Sequence, residues 1–145
     1  LTVSFLGNQD DDAVSRIASV LRGVAKRTPA PEIEFGRICF GPPGRSPRMI
    51  WLLAREETSR ALGRVKETLE EALEEEGIRF DREGRKFHGH VTLARGAVPL
   101  GVSGGRFPEE AVRISLLAES VDLMESELRR QGPEYDVLEA CPFGA

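Results

Sequence analysis

Residues 55–76 constrain the fold most. Ala61, Leu62, Val65, Leu69, Ala72 and Leu73 recur there at helical spacing and form one apolar stripe. Gly77 follows as a stop that accepts the left-handed conformation closing a helix. A long helix with a single stripe must bury that stripe against other elements, and the rest of the chain offers mostly strands. Glu67, Glu70, Glu71, Glu74, Glu75 and Glu76 crowd the end of this stretch and predict a solvated helix face.

A second helix is predicted over 11–26. Asp10, Asp11 and Asp12 supply an N-cap and negative charge at its start. Val14, Ile17, Ala18, Leu21, Val24 and Ala25 repeat at helical spacing, and Thr28-Pro29-Ala30-Pro31 ends the run. Residues 1–7 alternate apolar and polar and predict a half-buried strand. Residues 32–40 form another strand, whose apolar parity switches at Gly36-Arg37 and so predicts a bulge. A loop over 41–47 leads to a buried strand, 49–54, around Trp51, which suggests an antiparallel hairpin. Residues 78–80 read as a short strand and 81–86 as a polar turn. Beyond the strand at 90–95, residues 97–105 are Gly-rich and loop-like, and 107–110 suggest one helical turn. Residues 112–124 are a long β-type run bent near Glu119. A turn at 129–133 and a returning strand at 135–140 close the chain. This order predicts an α+β fold with mostly antiparallel pairing, rather than a doubly wound sheet or a barrel.

At 145 residues the chain fits one domain, or two small units sharing it, and 40% hydrophobic content supports a real core. No apolar run reaches the length of a membrane span. The chain opens Leu-Thr-Val-Ser-Phe-Leu-Gly, which reads as a strand entered partway and not as a signal peptide. Cys39 and Cys141 are far apart in sequence. With two histidines in total they give no zinc-binding spacing and read as two small buried apolar residues in a reducing cytoplasm. A net charge of −4 argues against a dedicated duplex binder. Yet Arg79, Arg82, Arg85, Lys86 and Arg95 surround the histidines against only Asp81 and Glu83, a field suited to a small anion.

Both histidines lie in Phe87-His88-Gly89-His90-Val91-Thr92-Leu93-Ala94-Arg95. In a strand, residues i and i+2 share a face, so His90 and Thr92 point one way while Val91 and Leu93 point the other. An imidazole beside a hydroxyl on a rigid element can handle a phosphate. The plainer alternative is an ordinary strand with a satisfied histidine. Strict alternation puts Arg95 on the face opposite His90, so it reaches the site only if the strand twists or bulges near Ala94-Arg95-Gly96. Otherwise it is a surface charge. His88 reads as a residue leading into the strand, with a catalytic role as the alternative. Leu1-Thr2-Val3-Ser4-Phe5 echoes Val91-Thr92-Leu93-Ala94-Arg95, a weak internal duplication.

The string from Phe87 to Arg95 resembles the second His-x-Thr motif of the two-histidine (2H) phosphoesterases, in their RNA 2′,3′-cyclic phosphodiesterase or 2′-5′ RNA ligase (LigT-like) branch. Residues 1–7 resemble the tail of its first motif and 47–52 its central strand. Residues 121–128 and 132–138 resemble its C-terminal hairpin. The likeness runs through the whole chain in family order. Two departures stand out: the first histidine of the family falls just ahead of Leu1, and His88-Gly89 replaces its Arg-Pro. The chain then reads as a single LigT-like domain over 1–145, shortened at its N-terminus.

The resemblance implies a bilobed α+β fold, two antiparallel sheets around a central cleft with helices packed outside. It implies hydrolysis of 2′,3′-cyclic phosphate on RNA ends or nucleotides to a 2′-phosphate, with 2′-5′ RNA ligation as the reverse. Two histidines serve as acid and base, since imidazole exchanges protons near neutrality. His90, Thr92 and Thr2 are the implied catalytic residues, the threonines donating to phosphate oxygens. Arg95 is the implied substrate clamp. No cofactor, metal or membrane is implied, and a cytoplasmic monomer is expected. The alternatives are a related phosphoesterase acting on another small cyclic or 2′-5′ phosphate, and a non-catalytic RNA-end or nucleotide-binding module of the same fold.

Overall fold

The computed structural model describes residues 1–42, 48–96, 110–130 and 132–144. The chain divides into two compact units, each discontinuous in sequence. The loop expected over 43–47, the Gly-rich stretch over 97–105 and the helical turn expected at 107–109 lie outside the described residues.

One unit comprises residues 1–3, 32–63 and 85–116. Its sheet has the order β3-β2-β1-β4, built from β1 (Glu32–Gly41), β2 (Met49–Ala54), β3 (His90–Arg95) and β4 (Glu110–Leu117). The pairings β1–β2 and β2–β3 are antiparallel, and the first of them is the expected hairpin. The register of β1 against β2 slips between Phe35 and Arg37, so Gly36 is the bulged residue. The extra residue resets the parity. It places Ile33, Phe35, Ile38 and Phe40 on one face with Ile50, Leu52 and Ala54, and Arg37, Cys39 and Gly41 on the other with Met49, Trp51 and Leu53.

The first part of α2 (Glu56–Glu75) covers the Ala54 side of this sheet. A Cβ placed on Gly89 would meet Ala54 Cβ at 3.2 Å and Leu62 Cδ1 at 3.6 Å. Two hydroxyls of the helix serve as acceptors for the sheet. Thr58 Oγ1 accepts from the Glu34 amide at 3.0 Å, and Ser59 Oγ accepts from the Gly89 amide at 3.1 Å. The strand expected to be buried, β2, is half-buried over residues 49–53 and buried only at Ala54.

The other unit comprises residues 4–31, 64–84 and 117–145. It holds α1 (Asp11–Arg27), the remainder of α2, and the antiparallel ribbon of β5 (Ser120–Arg129) with β6 (Gly132–Pro142). Asp10 caps α1 by accepting from the Ala13 amide at 2.8 Å. Ala13, Ile17, Leu21, Val24 and Ala25 of α1 pack with Leu69, Leu73, Ile78 and Cys141 in its core. Burial of about ten such side chains, at roughly 1.5–3 kcal/mol for each large one, is the main favourable contribution here.

Three local expectations differ from the structure. Residues 1–7 belong to no strand, since alternation specifies a face but not a ladder partner. Residues 78–80 are not a strand either. Ile78 instead closes α2: its amide donates to the Leu73 carbonyl at 3.0 Å while Gly77, at φ 78°, donates to Glu74 at 2.9 Å. Third, the run expected to bend near Glu119 breaks there, and β4 and β5 enter different sheets.

Candidate active site

His90 opens β3, an edge strand of the four-stranded sheet. Its ladder with β2 pairs Leu53 with His90, Leu52 with Val91 and Trp51 with Thr92. The register then slips and resumes with Ile50 opposite Ala94 and Met49 opposite Arg95. Leu93 is therefore the extra residue of a second bulge. Directly opposed residues of a ladder project to the same side. His90, Thr92 and Arg95 thus share the face that carries Leu53, Trp51 and Met49. Arg95 Nη1 lies 3.7 Å from Met49 Sδ, as that register requires. The parity conflict over Arg95 is resolved by the bulge, one position earlier than Ala94.

The ring of His90 is fixed twice. It stacks on the Trp51 indole, centroids 3.8 Å apart and planes 23° from parallel. Its Nδ1 lies 2.8 Å from the His88 carbonyl oxygen. A carbonyl only accepts, so Nδ1 carries the hydrogen and Nε2 of the neutral ring presents its lone pair. Trp51 sits over Gly41, where a Cβ would fall 2.1 Å from the indole Cδ2. The indole Nε1 is buried and has no hydrogen-bond partner among the described residues.

Thr92 is half-buried on the site face and Arg95 is exposed. Thr2 is exposed in the same unit, and no hydrogen bond joins it to His90 or Thr92 among the described residues. The first residues nonetheless approach the motif, since Leu1 Cδ1 would lie 3.6 Å from a Cβ on Gly89. His88 is exposed, and its contribution to the site is its backbone carbonyl.

The basic field around the histidines is narrower than its composition suggests. Arg82 Nε pairs with Glu70 at 3.0 Å and its Nη1 with Glu74 at 3.3 Å, while Lys86 pairs with Glu56 at 2.6 Å. Both hydrogen bonding and the charge of Lys86 hold the Glu56 carboxyl below its ordinary value. Cys141 is buried as expected, whereas Cys39 is half-buried on the site face, directly opposite Trp51. Among the described residues no three His, Cys, Asp or Glu side chains gather as metal ligands would. No helix is long and apolar enough to cross a membrane among those residues.

Two units, an edge strand carrying His-x-Thr and an acceptor-ready imidazole define the class of a phosphoesterase of the 2H type. Comparison with known proteins agrees. The family described as the 2′-5′ RNA ligase superfamily matches residues 1–127, and the chain belongs to it. It is 29% identical to the RNA 2′,3′-cyclic phosphodiesterase of Bacillus subtilis (strain 168), over 95% of this chain and 73% of that protein. It is 27% identical to the Thermus thermophilus protein of the same description, over 96% of this chain and 69% of that one. A crystal structure of a Thermus thermophilus protein superposes with a TM-score of 0.77 at 26% identity, covering 99% of this chain and 76% of that one. Escherichia coli LigT complexed with 3′-AMP shares the fold, with a TM-score of 0.69 at 23% identity over 99% of this chain and 75% of that one.

Proposed function

We propose that this chain is an RNA 2′,3′-cyclic phosphodiesterase that opens the cyclic phosphate of RNA ends or nucleotides to a 2′-phosphate, by metal-independent acid/base catalysis. The observation that carries this reading is that His90, Thr92 and Arg95 share one face of β3, with His90 Nδ1 turned to the His88 carbonyl and Nε2 left to accept. Water attacks phosphorus in line with the departing 3′ oxygen of the ribose. One histidine removes the proton from water and the other delivers one to the leaving oxygen. His90 is one of these two groups. In the family this chain resembles, the other belongs to the first His-x-Thr motif, whose threonine corresponds to Thr2.

Thr92 and Thr2 donate hydroxyl hydrogens to the non-bridging oxygens, where negative charge is held in the transition state. Arg95 binds the same anion by paired N–H donors. With a ribose 5′-hydroxyl in place of water as the nucleophile, the same groups displace the 3′ oxygen, protonate it, and join RNA ends through a 2′-5′ linkage.

The test is hydrolysis of cyclic-phosphate-ended RNA and of 2′,3′-cyclic mononucleotides, with product position read by ³¹P NMR. His90→Ala should lower turnover by roughly 10²–10⁴-fold with the fold intact by circular dichroism. Thr92→Val, which keeps shape and removes the hydroxyl, should lower kcat by about 10²-fold. Undiminished hydrolysis by His90→Ala would sink the reading.

A further inference from the structure

We infer that Ser59, on α2, is a positioning residue that sets the tautomer of His90 through a single peptide group. This inference rests on the acid/base reading of His90. The His88 carbonyl that accepts from His90 Nδ1 and the Gly89 amide that donates to Ser59 Oγ belong to the same peptide unit. That peptide is trans, so its C=O and N–H point in opposite directions and turn together as one plane. Ser59 grips one end of the plane, at 3.1 Å, and His90 is held by the other, at 2.8 Å.

The grip is well made. Ser59 is 3% exposed and Gly89 is buried, so water does not replace the bond when it breaks. The Gly89 carbonyl is fixed separately by the Ala54 amide at 2.8 Å, which fastens the next peptide of the chain to β2. The residue must carry an N–H for this to work, and glycine supplies one at the position where the resemblance has proline. Without the Ser59 bond, the 88–89 peptide is free to rotate away from Nδ1. The ring then loses its preference for carrying hydrogen on Nδ1, and a fraction of neutral His90 presents N–H, rather than a lone pair, at Nε2. Ser59 never touches substrate; its action passes entirely through the backbone.

Thr58 provides an internal control. It is the adjacent helix residue, 4% exposed, and it accepts from a strand amide at 3.0 Å, but that amide belongs to Glu34 and has no link to His90. The experiment compares Ser59→Ala with Thr58→Val in the full chain. Imidazole ¹⁵N shifts of His90, assigned with His88→Gln, report the Nδ1–H and Nε2–H populations. Steady-state kinetics on a 2′,3′-cyclic nucleotide report kcat and KM separately. Ser59→Ala is expected to move the ¹⁵N pattern toward the Nε2–H form and lower kcat roughly 3–10-fold at little changed KM. Ser59→Thr, which keeps the hydroxyl, should restore both, and Thr58→Val should change neither.

Should Ser59→Ala not fold, Ser59→Cys makes the same comparison with a weak acceptor of similar size. An unchanged ¹⁵N pattern in folded Ser59→Ala, or in Ser59→Cys where that takes its place, overturns the inference, as does an equal shift in Thr58→Val. A wild-type chain that cleaves no cyclic phosphate overturns the functional reading instead, and the ¹⁵N comparison still decides the role of Ser59.

Discussion

The imidazole of His90 lies against the indole of Trp51, 3.8 Å between centroids, on neighbouring strands whose register sets the two residues diagonally across the ladder. The contact depends on a third residue. Trp51 occupies the space above Gly41, and any side chain there collides with it. Gly41→Ala is expected to displace the indole, unstack His90 and destabilise the protein by about 1–3 kcal/mol through overpacking. Trp51 is the sole tryptophan, so its fluorescence reads the displacement directly. An emission spectrum and turnover equal to those of the wild type would show that the stack does not constrain the site.

The two bulges show what the sequence discloses about this face. The bulge at Gly36 is legible because apolar residues change parity across it: Ile33 and Phe35 before, Ile38 and Phe40 after. The bulge at Leu93 leaves no such trace, because Val91, Leu93 and Ala94 are all apolar or small. Its only sign is the misplaced parity of Arg95. The Trp51–His90 stack needs the register of β2 against β3, which neither strand encodes alone. Ser59 and Glu70 were hidden for another reason. Helical periodicity sorts residues into apolar and polar faces, and a buried polar residue at the margin is read as solvated. In the case of Glu70 the signal was Lys66, one turn earlier. Residues 1–7 failed as a strand because alternation names a face but no ladder partner, and Leu1 and Phe5 of the expected apolar face are exposed.

Arg95 is exposed and touches only the thioether of Met49 among the contacts described. Its guanidinium is therefore available to an anion on the site face. Arg95→Gln is expected to raise KM for a cyclic phosphate about 10-fold while lowering kcat less, because binding to an exposed cation is expressed mostly in the ground state. Arg95→Lys should recover part of the loss, as a point charge without the paired donors. Salt should raise KM in the wild type more than in Arg95→Gln. Equal salt dependence in the two proteins would remove Arg95 from the substrate's path.

Glu70 is the acid that departs from the solvated face expected of its helix. It is 2% exposed and takes hydrogen bonds from Lys66 Nζ at 2.5 Å, Ser4 Oγ at 2.7 Å and Arg82 Nε at 3.0 Å. Burial pushes its carboxyl upward, but the bonds from Lys66, Ser4 and Arg82 outweigh burial and hold it below the ordinary value of 4.5. A depressed folded-state value means that the ionised form stabilises the fold. That contribution is complete above the unfolded value and is lost as the pH falls through the folded one. Acid should therefore loosen the segments that carry Ser4 and Arg82 from α2, with the loss beginning below about pH 5. Glu70→Gln should lower stability at pH 7 by about 2 kcal/mol, by weakening bonds made to a charged acceptor. It should also flatten the decline of stability between neutral and acid pH. Denaturant titrations of both proteins from pH 7 to pH 3 measure the two slopes. Parallel slopes would mean that Glu70 is not the group whose protonation starts acid unfolding.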